Sequence, residues 1–258
     1  MFSMNILTLK NISYSYHSLR EETPALKDIS FSVKEGEFLA IVGPSGCGKS
    51  TLLSIIAGLL APENGSIIKM SANPAQEKLQ IGYMLQKDHL LPYRNIFQNV
   101  MLGPEIQRIN TPVIQSYAKE LLEEYGLGDV INKYPDELSG GMRQRVALIR
   151  TMVLNPTLLL LDEPFSALDY QTRLYVSADI CSRIRKANKT AVLITHDLSE
   201  AISLADRIIV LSGRPATVKR EIPIHLSCKR DDPIVTRTAK EFNEYFEILW
   251  KELYNEKY

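Results

Sequence analysis

Between Asn5 and Val42 the hydrophobic positions follow strand rhythms. Leu7, Leu9, Ile12 and Tyr14 alternate roughly, and Ile29 to Val33 alternates strictly, which predicts strands with one buried face. Glu35-Gly36 marks a turn, and Phe38 to Val42 is an unbroken apolar run that suits a strand buried on both faces of a parallel sheet. A glycine-rich stretch follows, then a helix from Lys49 to about Ala57, stopped by Gly58. Gly65–Ile68 and Gln80–Met84 read as further strands. From about Asn95 to Asn155 the period changes to helical. Val113 to Tyr125 ends at Gly126, a C-cap glycine, and Ser139 to Leu154 ends before Pro156. Strand rhythm returns at Leu158–Leu161, Ala191–Thr195 and Ile208–Leu211, with helical segments between, an alternation that predicts crossover helices on a parallel sheet. From Pro233 to Tyr254 an amphipathic helix is predicted, with Phe242, Tyr245, Phe246, Leu249 and Trp250 on one stripe packing against the body.

Composition narrows the classes. The 258 residues are 45% hydrophobic, enough to bury a large core. Thirty basic residues balance thirty acidic ones, which argues against a surface that coats nucleic acid. The three cysteines, Cys47, Cys181 and Cys228, form no CxxC pair, so neither a disulfide framework nor a zinc site is expected. The N-terminus has no signal-peptide pattern, and no apolar run approaches the ~18 residues that span a bilayer. Membrane association is therefore expected only through a partner.

The chemistry lies in motifs at the strand ends. Gly43-Pro44-Ser45-Gly46-Cys47-Gly48-Lys49-Ser50-Thr51 follows a predicted strand and opens a predicted helix. Its glycines let backbone N–H groups converge on phosphate oxygens at a helix N-terminus. Lys49 can reach the β- and γ-phosphates and Ser50 can ligate Mg²⁺. A plain glycine turn is the structural alternative, disfavoured by the placement between strand and helix. Cys47 is either a reactive thiol activated by the helix end or an inert small residue, the latter favoured. Leu158–Leu161 delivers Asp162 and Glu163 to the carboxyl edge of a strand, where Asp162 can hold the metal and Glu163 can orient or deprotonate a water. Leu138-Ser139-Gly140-Gly141-Met142-Arg143-Gln144 opens a long helix, either as a second anion-binding end or as a serine cap with flexible glycines.

With that last motif the chain resembles the ATP-binding cassette (ABC) ATPases, over roughly residues 5–225. The resemblance implies a P-loop NTPase α/β fold: a mainly parallel sheet core, an N-terminal antiparallel β-subdomain and a helical subdomain inserted at about 87–155. Residues 226–258 form a helical tail. It implies ATP and Mg²⁺ as cofactors, with Ser50, Gln86 and Asp162 near the metal, and Glu163, His196 and Gln86 as catalytic residues. Tyr16, with Tyr14 as alternative, resembles the adenine-stacking aromatic. Gln86 resembles the lid glutamine, His196 the switch histidine, and Ser166-Ala167-Leu168-Asp169 the loop that crosses a dimer interface. The family arrangement is a head-to-tail homodimer in which Ser139, Gly140, Gly141 and Asp169 contact the ATP of the other copy. His17, His89 and His225 are expected at surface or satisfied core positions.

Leu90 to Val100 and Leu211 to Leu226 resemble the nitrate/sulfonate/taurine group of importers. Two permease subunits, an extracytoplasmic solute-binding protein and a place on the cytoplasmic face of the membrane are implied. Tyr83, Leu90, Leu91, Pro92 and Tyr93 either line a permease groove or pack between lobes. The regulatory β-domain of sugar-type ATPases is not expected. The alternative function is a soluble ABC-type ATPase acting on nucleic acid or ribosomes, for which no coiled-coil insertion, zinc module or second cassette is visible.

Overall fold

The computed structural model describes residues 4–18, 21–70, 79–228 and 233–254. Strands β1 (Asn5–His17) and β2 (Glu22–Lys34) pair antiparallel, with Leu9 opposite Phe31. Their hydrophobic rhythm is irregular because the ladder is bulged: Asn11 and Asp28 take φ of 50° and 51°, and Ile12 returns to the buried face out of phase with Leu7 and Leu9. Serine hydroxyls accept the displaced N–H groups, Ser30 from Asn11 at 2.8 Å and Ser13 from Asp28 at 3.0 Å. Strand β3 (Phe38–Val42) is buried throughout and leads into helix α1 (Lys49–Ala57), which ends on Gly58 at φ 83°. Strand β4 (Asn64–Lys69) completes the three-stranded antiparallel sheet in the order β2-β1-β4.

After strand β5 (Ile81–Met84) comes the helical lobe: α2 (Ile96–Val100), α3 (Leu102–Ile106), α4 (Pro112–Glu124), two 3₁₀ turns and α5 (Gly140–Met152). Two of these helices are only five residues long, so the lobe is more broken than its helical period predicts. Then follow β6 (Leu158–Asp162), α6 (Tyr170–Lys186), β7 (Thr190–Ile194), α7 (Leu198–Leu204), β8 (Arg207–Leu211) and β9 (Val218–Pro223). The main sheet runs β5-β6-β7-β3-β8-β9; its first five strands are parallel and β9 is antiparallel at the edge. The continuous apolar runs are buried on both faces. Leu158 and Leu160 pack with Leu39 and Ile41 in the core shared with α1 and β1–β2, while Leu159 and Leu161 pack with Ala40 and Val42 in the core shared with the helices.

The single tail helix expected from the sequence is two: α8 (Pro233–Arg237) and α9 (Lys240–Tyr254). Thr238 Oγ1 donates back to the Val235 carbonyl at 2.9 Å, a local bond that competes with the helical ladder. Of the predicted stripe, Phe242 and Leu249 are buried in the core, Tyr245 and Phe246 flank it, and Trp250 stays half exposed.

Candidate nucleotide site

The order of the sheet decides where the chemistry gathers. Parallel β5, β6, β7 and β3 are neighbours, so the residues just past their carboxyl ends emerge at one edge. Gln86 follows β5, Glu163 follows β6, His196 follows β7 and the glycine loop follows β3. A cavity of about 780 Å³ opens there, lined by Gly43, Pro44, Ser45, Gly46, Gly48, Lys49, Ser50 and Thr51, by Tyr16, and by Gln86, Glu163 and His196.

Its floor is an anion cradle. Gly48, at φ 123°, precedes α1 without any side-chain cap, which leaves the first N–H groups of the helix for a ligand. A Cβ on Gly48 would meet the Ala25 carbonyl at 2.9 Å, so the position requires glycine for closeness as well as for its dihedral angles. The buried Lys49 donates to the carbonyls of Gly43 and Pro44, both at 2.8 Å. Tyr16 shares a hydroxyl hydrogen bond with Thr51 at 2.9 Å while 42% of the residue stays exposed. Tyr14 is set edge-on to Tyr16 with centroids 5.1 Å apart and packs towards the core, so Tyr16 is the aromatic on the cavity wall.

Cys47 departs from its neighbours. Its side chain is buried in the core, against the position a Gly43 Cβ would take, and burial pushes its thiol pKa up. Alone of the residues from Gly43 to Thr51, it does not line the cavity.

Glu163 is held in an unusual backbone conformation, φ 47°. Such a residue costs about 1 kcal/mol or more and persists where its surroundings hold it. Its N–H donates to Ile194 O at 2.9 Å, and its carbonyl accepts from Ser166 Oγ at 3.0 Å. The side chain is thereby aimed between two partners: Gln86 Nε2 donates to Oε2 at 3.1 Å, and His196 Nδ1 lies 3.3 Å from Oε1. Asp162 is 3% exposed; burial raises its carboxyl pKa, and a hydrogen bond with Ser50 and the charge of Lys49 oppose that rise.

The second glycine motif lies elsewhere. Ser139 caps α5, accepting from Met142 N–H at 3.3 Å, and Asp169 caps α6, accepting from Thr172 N–H at 3.0 Å; hydrogen bonds from the Thr172 hydroxyl, foremost, and its N–H lower the Asp169 carboxyl pKa. Neither they nor Gly140 and Gly141 line the cavity. Gly141 has a packing reason to be glycine: an added Cβ would stand 2.6 Å from Leu168 Cδ2. His17 is a surface residue, its Nε2 2.6 Å from Glu63.

Two residues have structural roles that the sequence reading does not assign. Gln144 is 4% exposed; its Oε1 accepts from Ala167 N–H at 3.1 Å, and its Nε2 donates to Ser166 Oγ at 3.3 Å. Glu200 is buried beside a small hollow that also touches Glu163, His196 and Arg173, with one carboxylate oxygen unpartnered among the described residues. Burial lifts its pKa to about 7, against the hydrogen bond from Thr195. An apolar-flanked glutamate at Leu198–Ile202 is the only hint the sequence offers.

The ABC transporter family pattern matches residues 26–166. An uncharacterized ABC transporter ATP-binding protein of Bacillus subtilis is 46% identical over 97% of this chain and 96% of its own length. An aliphatic sulfonates import ATP-binding protein of Pseudomonas syringae is 38% identical over 84% of this chain and 89% of its own. Among solved structures, a dimeric post-hydrolysis ATP-binding cassette bound to ADP and Pi superimposes with a TM-score of 0.71 at 32% identity, over 85% of this chain and 99% of that one. The chain belongs to the ABC transporter ATP-binding protein family, related to the nitrate, sulfonate and taurine importer ATPases.

Proposed function

We propose that the chain hydrolyses ATP in a head-to-tail dimer and so drives import of a small anion, such as a sulfonate, taurine or nitrate, through two membrane permease subunits fed by an extracytoplasmic solute-binding protein. The observation that carries this reading is the meeting of Gln86, Glu163 and His196 over the Gly43–Thr51 cradle. A triphosphate fits with its oxygens on the N–H groups of the loop and α1, and with Lys49 moving from the Gly43 and Pro44 carbonyls to the β- and γ-phosphates. Glu163 then orients the attacking water and takes its proton as the β–γ bridge breaks to give ADP and phosphate. His196, beside it, steadies the γ-phosphate.

The hydroxyl of Ser50, the carboxylate of Asp162 and the amide of Gln86 form an oxygen-rich donor set of the kind that, with phosphate oxygens, suits Mg²⁺. When bound, the ion would neutralise charge developing on the phosphate oxygens. The buried Asp162, its carboxyl destabilised as an anion, gains from a cation there.

That Ser139, Gly140, Gly141 and Asp169 stay off the cavity of their own chain supports their use across the dimer. We also read 5–225 as the ATPase unit, with 87–155 as its lobe. Among the described residues no helix is long and apolar enough to cross a membrane, in keeping with a peripheral place on the cytoplasmic face through the permeases. Of the proposed permease groove, Leu90 and Tyr83 pack into the body, whereas Pro92 and Tyr93 are exposed and remain the candidate contacts, Tyr93 at 73% exposure. Glu163→Gln tests the core of the proposal: it should bind ATP, accumulate a closed dimer and turn over slowly. Wild-type hydrolysis in that variant refutes the role of Glu163.

A further inference from the structure

The cavity continues past the phosphate loop. Beyond Ala25 its wall is made by Arg214, in the turn between β8 and β9, and by Leu253 and Tyr254, the last residues of α9. These segments meet because they are bound to the strands that carry Tyr16. Tyr16 pairs with Thr23 of β2. On the same strand, the Pro24 carbonyl accepts from Arg214 Nε at 3.1 Å, and the Ala25 carbonyl accepts from Ala216 N–H at 2.9 Å. The end of α9 is tied to β9: Lys219 Nζ donates to the Glu252 carbonyl at 2.7 Å, and Arg220 Nη1 to its carboxylate at 2.8 Å. Those two charges hold the Glu252 carboxyl pKa below the usual glutamate range, the Arg220 hydrogen bond foremost.

The helix end is thus fixed rather than draped. Leu253 packs on the core, and the Tyr254 ring leans on Trp250 with centroids 4.3 Å apart. What remains towards the cavity is a particular chemistry. Tyr254 is 41% exposed, Tyr16 is 42% exposed, and Arg214 has no carboxylate partner among the described residues. Arg214 follows β8, across β3 from the strands β5, β6 and β7 that precede Gln86, Glu163 and His196, and two open aromatic rings beside a cation match a purine and its ribose better than they match phosphate alone.

We propose that Arg214, Leu253 and Tyr254, with Tyr16, form the base-and-ribose end of the nucleotide cavity, so that the C-terminal helix is a nucleotide-binding element of its own chain. This rests on the ATP reading above and extends it to the tail. A base entering the cavity meets rings from β1 and α9, elements far apart in sequence whose positions the β2 and β9 ties set. Binding then draws the tail, the β8–β9 turn and the β1–β2 sheet onto one ligand.

The test is equilibrium binding to the full-length chain by calorimetry, with Mg-ATP and inorganic tripolyphosphate as separate probes. Tyr254→Ala should weaken ATP about fivefold or more, the size expected for losing one stacking face, and leave tripolyphosphate unchanged. Tyr254→Phe should keep wild-type affinity for both. Lys49→Ala reports on the phosphate loop and should lose both probes. Unchanged ATP affinity in Tyr254→Ala, or an equal loss of both probes, overturns the role of the tail while leaving the loop reading intact. If Lys49→Ala binds both probes like wild type, or wild type binds neither, the loop reading fails and this inference falls with it.

Discussion

Replacing Gln144 by leucine separates holding the fold from holding the site. The side chain lies at the junction of α5 with the Glu163–Asp169 segment, bonded to Ala167 N–H at 3.1 Å, Ser166 Oγ at 3.3 Å and Glu163 O at 3.4 Å. The first is the best formed; the other two are long and weak. Leucine removes all three but fills most of the slot. Ala167 is on an exposed segment, so water can recover its N–H, and Ser166 keeps its own bond to Glu163 O at 3.0 Å. The net cost is then about 1–2 kcal/mol rather than the larger penalty of a sealed orphan donor. For a chain of this size that lowers the melting temperature by about 2–8 °C. Turnover should fall much further, about tenfold or more, because Glu163 sits in a strained conformation that this junction helps to fix. ATP affinity should stay at the wild-type value, because Gln144 does not line the cavity. Scanning calorimetry, a phosphate-release assay and nucleotide titration give the three quantities. Turnover within twofold of wild type, with the expected loss of stability, refutes a positioning role for Gln144.

Other perturbations probe other parts of the structure. The Glu200 carboxyl is raised from its ordinary 4.5 to about 7, so between those values the folded chain holds a proton that the unfolded chain has lost, and stability falls as pH rises through the window. Glu200→Gln, facing the same Thr195, Asp197, Arg173 and Arg237, should flatten that decline in a series of melts from about pH 5 to 8; an unchanged slope contradicts the assignment. Gly65→Ala would put a Cβ 2.3 Å from the Lys10 carbonyl at a φ of +91°. Backbone on both sides leaves little room to relax, so urea unfolding should show a loss above about 2 kcal/mol, and a neutral variant would disprove the close approach of β4 to the β1 bulge. Ser139→Arg should abolish ATP-dependent dimerisation in gel filtration while monomeric ATP affinity persists; intact dimerisation refutes the use of this helix end across the interface.

Where periodicity and punctuation agree, the sequence is readable. The apolar runs at 38–42 and 158–161, five and four residues long, have no polar position, and only a strand covered on both faces explains that. Gly58 and Gly126 end their helices as read, because the left-handed turn they supply is local. The bulges of β1 and β2 were hidden because a positive φ at Asn11 or Asp28 is decided by the partner strand. The same holds for Cys47, whose thiol direction follows from the closure of the loop on β3, and for Gln144 and Glu200, ordinary helical residues until the neighbouring loop covers them. The grouping of Gln86, Glu163 and His196 at one site is implied by the family resemblance; their contacts, at 3.1 and 3.3 Å, depend on a strand order that motif order does not contain.

The ties around Gln86 carry this argument to motion. The segment after it, Asp88 and His89, is held by helix α5: Arg143 Nε bonds the Asp88 carboxylate at 3.1 Å, and Arg150 donates to the His89 and Asp88 carbonyls at 2.9 and 2.6 Å. The helix that makes these three contacts is capped by Ser139, and through Gln144 it also holds the segment after Glu163. A main-chain shift that carries Asp88 and His89 along with Gln86 therefore moves α5 unless these bonds break. In the proposed head-to-tail dimer, where Ser139–Gly141 face the other copy, α5 would link the state of one cavity to that surface. A lobe joined to the sheet only by apolar packing could slide without such a signal. Side chains bonded at both ends of one rigid helix make the displacement directional, and that is what a nucleotide-driven closure requires.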